Sequence, residues 1–303
     1  GVPLSVMGEV LGVMLVEESG GTHHLRDRRL ELITGIARQA ALAVQNDRLL
    51  QDRSQRERLE RELQLAHELQ QTFLPERSPF RAGWELAVSW QAAREVGGDF
   101  YDFLDLGGDR LGLAIADVAD KGMPAALFMI LTRTLLRAAA LQYTSPANVL
   151  AQVNALLLPD AYQESMFVTG AYAVLELLSG RLTYASAGHN PALLLSPAGD
   201  PEWLRCRGAV LGVPESIDLE ERSLVMNPGE HLVLYTDGVT EAFSPDGEIY
   251  GEERLLAAAQ AAAGSTAQEM VESVLASVRE FVGDNPASDD LTLLVLRRST
   301  GVT

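Results

Sequence analysis

The sequence predicts an α+β protein with antiparallel sheets, on two patterns. From residue 80 onward, short runs rich in Val, Leu, Ile and aromatic residues follow one another across Gly-containing turns. The helical patterns among them come in adjacent pairs instead of alternating singly with strands, which argues against repeated βαβ units. Composition sets the core material: 47% of the 303 residues are apolar and only 6% aromatic, so the interior is built mainly from Ala, Leu and Val. That length corresponds to one large domain with an appendage, or to two domains.

In chain order, residues 10–16 read as a buried strand and Ser19-Gly20-Gly21 as a turn. Residues 27–50 show helical spacing, with Leu30, Ile33, Ile36, Ala37, Ala40, Ala43 and Val44 on one face. One strand and one helix cannot enclose a core, so residues 1–50 read as the tail of a domain whose first part is missing, and the opening Gly1 agrees with a fragment. The strings VPLSVMGEVLGVMLVEE and LITGIARQAALAVQNDRLL resemble the closing strands and last helix of a GAF sensor domain. Residues 51–79 form a linker whose first part is almost entirely charged or amide-bearing, and with no Gly or Pro before Pro75 it is expected to be helical. Leu59, Leu63, Ala66, Gln70 and Phe73 fall at alternating steps of four and three, the spacing of a coiled-coil seam. A homodimer through this connector is the expectation; a single helix lying on the catalytic domain is the other reading of the same spacing.

After Pro79, strands are expected at 85–90, 100–104, 111–117, 166–178, 181–186, 192–196, 231–236 and 291–296. Helices are expected at 124–142 and 146–157, with another pair within 252–281.

Forty-two acidic residues against 24 basic ones leave a formal charge of -18, which repels phosphate backbones and anionic headgroups and makes nucleic acid and membrane surfaces poor partners. Cys206 is the sole cysteine, so no intramolecular disulfide can form; a reducing, cytoplasmic setting is expected, with this thiol an inert packing group. Neither an unbroken apolar run of about 18 residues nor a leader peptide is visible.

Four acidic clusters stand at strand ends beside turns: Gly97-Gly98-Asp99 with Asp102, Asp117-Val118-Ala119-Asp120-Lys121-Gly122, Asp237-Gly238, and Ser288-Asp289-Asp290. A carboxylate where a buried strand emerges is costly unless something neutralises or hydrogen-bonds it, and hard divalent cations do this well. Any one Asp-Gly pair is an ordinary turn; four clusters together weaken that explanation.

At this point the chain resembles the PPM-type metal-dependent protein phosphatases, specifically the bacterial branch typified by SpoIIE and RsbU. The blocks ERELQLAHELQQTFLPE, REVGGDFYDF, IADVADKGMPAALFM, SAGHNPALLL, LYTDGVTEAF, YGEERL and SDDLTLLVLR carry the resemblance in order. It implies a four-layer αββα sandwich over residues 80–298 and a phosphatase acting on phosphoserine or phosphothreonine. The implied metal ligands are Asp99, Asp117, Asp237 and Asp289 with the Val118 carbonyl, Asp117 bridging two Mn²⁺ or Mg²⁺ ions. Asp290 is held in reserve beside Asp289, and Asp102 is a weaker outer candidate. The implied substrate is a STAS-type anti-sigma-factor antagonist, and the implied regulator is the upstream sensor. Many relatives have Gly-His-Gly where this chain has Asp120-Lys121-Gly122, so a histidine acid is absent from that loop and Lys121 could attract phosphate. His189 is read as a turn residue; His23, His24, His67 and His231 are read as structural or solvated.

Two other readings compete. Gly97-Gly98-Asp99-Phe100 superficially matches the signature of diguanylate cyclases, but Phe100 replaces an acidic residue and three acidic clusters go unexplained. The alternative of a pseudophosphatase that binds a phosphoprotein without turnover is opposed by the intact acidic clusters.

Overall fold

A computed structural model describes residues 1–17, 26–164, 166–213 and 217–301; the Ser19-Gly20-Gly21 turn lies outside them. The chain divides into two compact units, Gly1–Leu65 and Ala66–Thr303.

In the first unit, β1 (Val2–Val6) and β2 (Glu9–Met14) form an antiparallel hairpin. Its turn residues Met7 and Gly8 both have positive φ, 50° and 90°, a turn whose twist matches that of the paired strands. The expected strand is present but not buried: Val10 and Val13 are 62% and 60% exposed. The helical stretch expected at 27–50 and the one expected in the linker are one uninterrupted helix, α1 (Arg26–Phe73), of 48 residues. Among the described residues of its first part only Ala37 and Ala41 are fully buried, while Leu30, Ile36 and Val44 are exposed, so the buried stripe is narrower than the apolar spacing predicts. Arg53–Glu57 and Arg58–Glu62 pairs one turn apart line its polar stretch.

The second unit opens with the last turns of α1. Among the described residues its strands form two five-stranded antiparallel sheets. The first sheet runs β10 (Glu221–Val225), β7 (Arg181–Ala187), β6 (Val168–Glu176), β5 (Arg110–Val118), β4 (Phe100–Asp105); the second runs β3 (Trp84–Gln91), β12 (Leu291–Arg298), β11 (His231–Tyr235), β8 (Ala192–Leu195), β9 (Pro201–Leu204). The helices α2 (Met123–Ala140) and α3 (Pro146–Glu164) cover the first sheet. The short α4 (Asp237–Thr240) follows β11, and α5 (Gly251–Ala261) and α6 (Ala267–Val282) cover the second sheet. The expected order of four layers, αββα, is what the structure shows.

Alternation along the strands builds the layers. Leu232, Leu234, Leu294 and Leu296 belong to the core between the sheets, whereas Val233, Tyr235, Leu293 and Val295 pack under α5 and α6. Both faces of β11 and β12 are therefore buried, which is why these strands read as continuous apolar runs. The edge strands β9 and β10 lack that signal; Glu221–Val225 is mostly exposed, and the sequence pattern passes over both.

With a mean hydropathy of 1.3 over 18 residues, α2 is long and apolar enough to cross a bilayer by composition. It is a core helix nonetheless: Ala125, Met129, Thr132 and Leu136 are buried. Its Arg133 and Arg137 are tied to Asp102 on β4.

Candidate metal centre

Strand register brings the acidic clusters together. Phe100 lies opposite Ala116, so Asp99 and Asp117 emerge side by side at one end of the first sheet. Tyr235 lies opposite Leu293, and the Thr236 N–H donates to the Thr292 carbonyl at 3.0 Å, which sets Asp237 beside Asp289 and Asp290. Stacking of the two sheets joins these ends: the hydroxyls of Thr236 and Thr292 donate to Asp99 Oδ2 at 2.6 and 2.7 Å.

Three glycines permit the approach. A Cβ at Gly98 would lie 2.8 Å from the Val118 carbonyl oxygen, one at Gly97 would run into the Asp290 carboxylate, and one at Gly238 would overlap the Asp290 carbonyl. Asp290 fastens this junction, its two oxygens accepting from the Ala93 and Gly98 N–H groups at 2.7 and 2.6 Å. The adjacent Asp289 has no such backbone anchor on its Oδ2, which meets Lys121 Nζ at 2.7 Å. That division favours Asp289 over Asp290 as the outward-facing carboxylate.

Electrostatics mark the cluster as strained. Burial, then the neighbouring Asp117 charge, push the Asp99 carboxyl well above its ordinary value, against the pull of the two threonine hydroxyls. Burial, then Asp237 and Asp289, raise Asp117 to about 7. Burial, then Asp289, raise Asp237, and burial is also the main cause of the upward shift of Asp290, opposed by its backbone donors. Lys121, the chain's single lysine, is the cation that lies among them, its Nζ also donating to the Ser288 carbonyl at 2.8 Å. Its loop carries Asp120 at φ 92°, a left-handed conformation rare for a non-glycine residue.

Among the described residues, no three Asp, Glu, His or Cys side chains close around one point tightly enough to hold an ion as they stand. Asp99 is turned to its threonines, Asp290 to backbone amides and Asp289 to Lys121. The donor chemistry nevertheless fits hard divalent cations: carboxylate and carbonyl oxygens, with excess negative charge that burial makes costly and one lysine cannot cancel.

Asp102 belongs elsewhere. Fully buried, it accepts from Arg137 Nε and Nη2 at 2.5 and 2.7 Å and from Arg133 Nη2 at 3.2 Å, so it is an ion-pair anchor for α2 and not an outer member of the carboxylate cluster. His189 is a loop anchor, as the turn reading has it: its N–H donates to Ser186 Oγ at 3.1 Å and its Nδ1 meets Thr169 Oγ1 at 2.9 Å. Burial lowers its imidazole to about 4. Burial also raises the Cys206 thiol to about 11, which leaves no thiolate for nucleophilic attack at neutral pH.

Sequence reasoning missed Thr236 and Thr292, whose only signal is a hydroxyl next to each acidic strand end. For Gln70 the spacing left two readings, a seam between copies and a single helix lying on the catalytic domain. Gln70 is 2% exposed and faces its own unit, its Nε2 donating to the Gly97 carbonyl at 2.6 Å and its Oε1 accepting from the Gly97 N–H at 3.1 Å.

Residues 107–299 match the sequence profile of the family described as Stage II sporulation protein E (SpoIIE). The chain belongs to the SpoIIE family of PP2C-type phosphatases. Asp117, Val118, Asp237, Asp289 and Asp290 lie within the SpoIIE match and Asp99 lies just ahead of it. The chain is 33% identical over 264 residues to protein IcfG of Synechocystis, covering 78% of this chain and 42% of IcfG, so it spans less than half of that relative. It is 29% identical over 296 residues to the phosphoserine phosphatase RsbU of Bacillus subtilis, covering 97% of this chain and 85% of RsbU. The SiaA-PP2C domain of Pseudomonas aeruginosa has a similar fold, with a TM-score of 0.72 and 22% identity over 80% of this chain and 98% of that domain.

Proposed function

We propose that this chain is a metal-dependent protein phosphatase that removes phosphate from serine or threonine of a regulatory protein. The observation that carries this reading is the convergence of Asp99, Asp117, Asp237 and Asp289 from two sheets onto one strained cluster. Those four carboxylates and the Val118 carbonyl would hold two Mn²⁺ or Mg²⁺ ions, and Asp290 braces the junction through its backbone donors. Bound there, such ions activate water at neutral pH and offset charge on the phosphoryl oxygens.

The chain's own groups do the rest. Thr236 and Thr292 fix one oxygen of Asp99 and so orient the other. Lys121 presents a positive charge at a cluster that would otherwise repel a phosphate dianion. His189, held to Thr169 through Nδ1 and kept neutral by burial, serves as a loop anchor, and the proton for the leaving oxygen is assigned to solvent.

The substrate by family resemblance is a STAS-type antagonist of an anti-sigma factor, in the cytoplasm. Residues 1–50 act as the end of a GAF-like sensor, 51–79 as the connector and homodimer seam, and 80–298 as the catalyst. The grip of Gln70 on Gly97, two residues from Asp99, supports transmission through α1.

The test is hydrolysis of an aryl phosphate and of a serine-phosphorylated STAS protein with and without Mn²⁺. Manganese-dependent turnover abolished by Asp117→Asn and by Asp237→Asn is the expected result; turnover that survives in both variants overturns the site assignment.

A further inference from the structure

Beside the carboxylates, on the side of α4 and the end of α6, lies an open cavity of about 220 Å³. Gly238 and Asp289 line it and also belong to the metal cluster, so cavity and cluster are continuous. The other walls are mainly apolar, including the half-exposed Phe243 and Val282. One cation faces it: Arg279, on an exposed turn of α6, whose guanidinium has no ion-pair partner among the described residues. In a chain with a formal charge of -18, this arginine gives the cavity one positive charge to set against the Asp289 carboxylate on its inner wall.

The volume falls below the roughly 300–1,000 Å³ of a small-molecule pocket, and it suits a single large side chain. A phosphoserine reaching the carboxylates holds its own backbone at the surface above them. An extended peptide advances ~3.3 Å per residue, so a side chain a few positions away arrives at the cavity mouth. We propose that this cavity is the specificity pocket for the substrate phosphoprotein: it takes an apolar side chain close in sequence to the phosphoserine, and Arg279 takes a neighbouring carboxylate. This rests on the phosphatase reading above and adds to it a sequence preference. Gly238 and Asp289 at the inner wall couple correct seating to the position of the phosphate.

The experiment measures kcat/KM of the chain with Mn²⁺ on two kinds of substrate. One is an aryl phosphate, too small to reach the cavity. The other is a set of phosphoserine peptides in which one Leu and one Asp are moved through the flanking positions. One arrangement is expected to exceed the rest about tenfold or more, the usual discrimination of an apolar pocket. Arg279→Glu should abolish the Asp preference and Ala287→Trp, which fills the mouth, the Leu preference, with aryl phosphate turnover unchanged in both. Equal rates on all peptides, or preferences that survive both substitutions, overturn the inference while aryl phosphate turnover leaves the phosphatase reading standing. If the unaltered chain hydrolyses no substrate of either kind, that reading falls and the specificity pocket falls with it.

Discussion

Asp99 and Asp102 lie within four residues at the start of one strand, both buried, and their surroundings are electrically opposite. Asp102 meets two arginines of α2. Asp99 meets two hydroxyls and a second carboxylate. An acidic side chain whose charge the protein itself neutralises is a fastening. One that the protein surrounds with further acid, at a cost in folding free energy, is kept for something the protein does not itself contain.

The contrast can be broken most sharply by substitution on each side of it. Asp99→Asn should lower turnover by ~10³-fold, the scale seen when one electrostatic group of a catalytic site is removed. The metal-free protein should unfold at a higher temperature, because a strained buried charge is gone. Asp102→Ala should do the reverse, destabilising the fold by ~3 kcal/mol in denaturant unfolding, since Arg133 is left partly buried without its partner. Should Asp102→Ala spare stability or Asp99→Asn lower it, the two sites would not differ as described.

Next in size is the pH dependence. Carboxyls raised above their ordinary value hold protons in the folded state that the unfolded chain has released, so stability falls as pH rises through that interval. For Asp117 the interval runs from 3.8 to about 7. Without divalent cations the melting temperature should therefore drop between pH 5 and pH 7.5, and Mn²⁺ should raise it more at the upper pH than at the lower. A melting temperature that stays level over this range, or a manganese effect independent of pH, would remove the strain argument. The smallest effect should come from Gln70→Ala, which frees the loop before Asp99: turnover is expected to fall by about tenfold with a stability loss of ~1–2 kcal/mol. Activity equal to that of the unaltered protein would show that α1 does not hold the site through this amide.

What the sequence showed of this contrast was uneven for a physical reason. The four acidic clusters were legible because each stands at an end of an apolar strand beside a turn, which is a local pattern; the choice of Asp99, Asp117, Asp237 and Asp289 within them was implied by the family resemblance. The true role of Asp102 was not legible, because Arg133 and Arg137 reach it from a helix more than thirty residues on and nothing within β4 announces them. Thr236 and Thr292 depend on how two sheets stack, and Gln70 on which side of α1 faces Gly97, so neither follows from spacing alone. The layers were legible through the all-apolar β11 and β12; the edge strands β9 and β10, exposed and short, were not.

The most direct test of the carboxylate cluster is calorimetric titration of Mn²⁺ into the metal-free protein at pH 7, in two buffers of different ionisation enthalpy. Cation binding accompanied by proton release is expected, because raised carboxyls must give up their protons to become ligands, with both binding and release lost in Asp117→Asn. Binding that releases no proton and is unaffected by Asp117→Asn and Asp237→Asn would contradict the account.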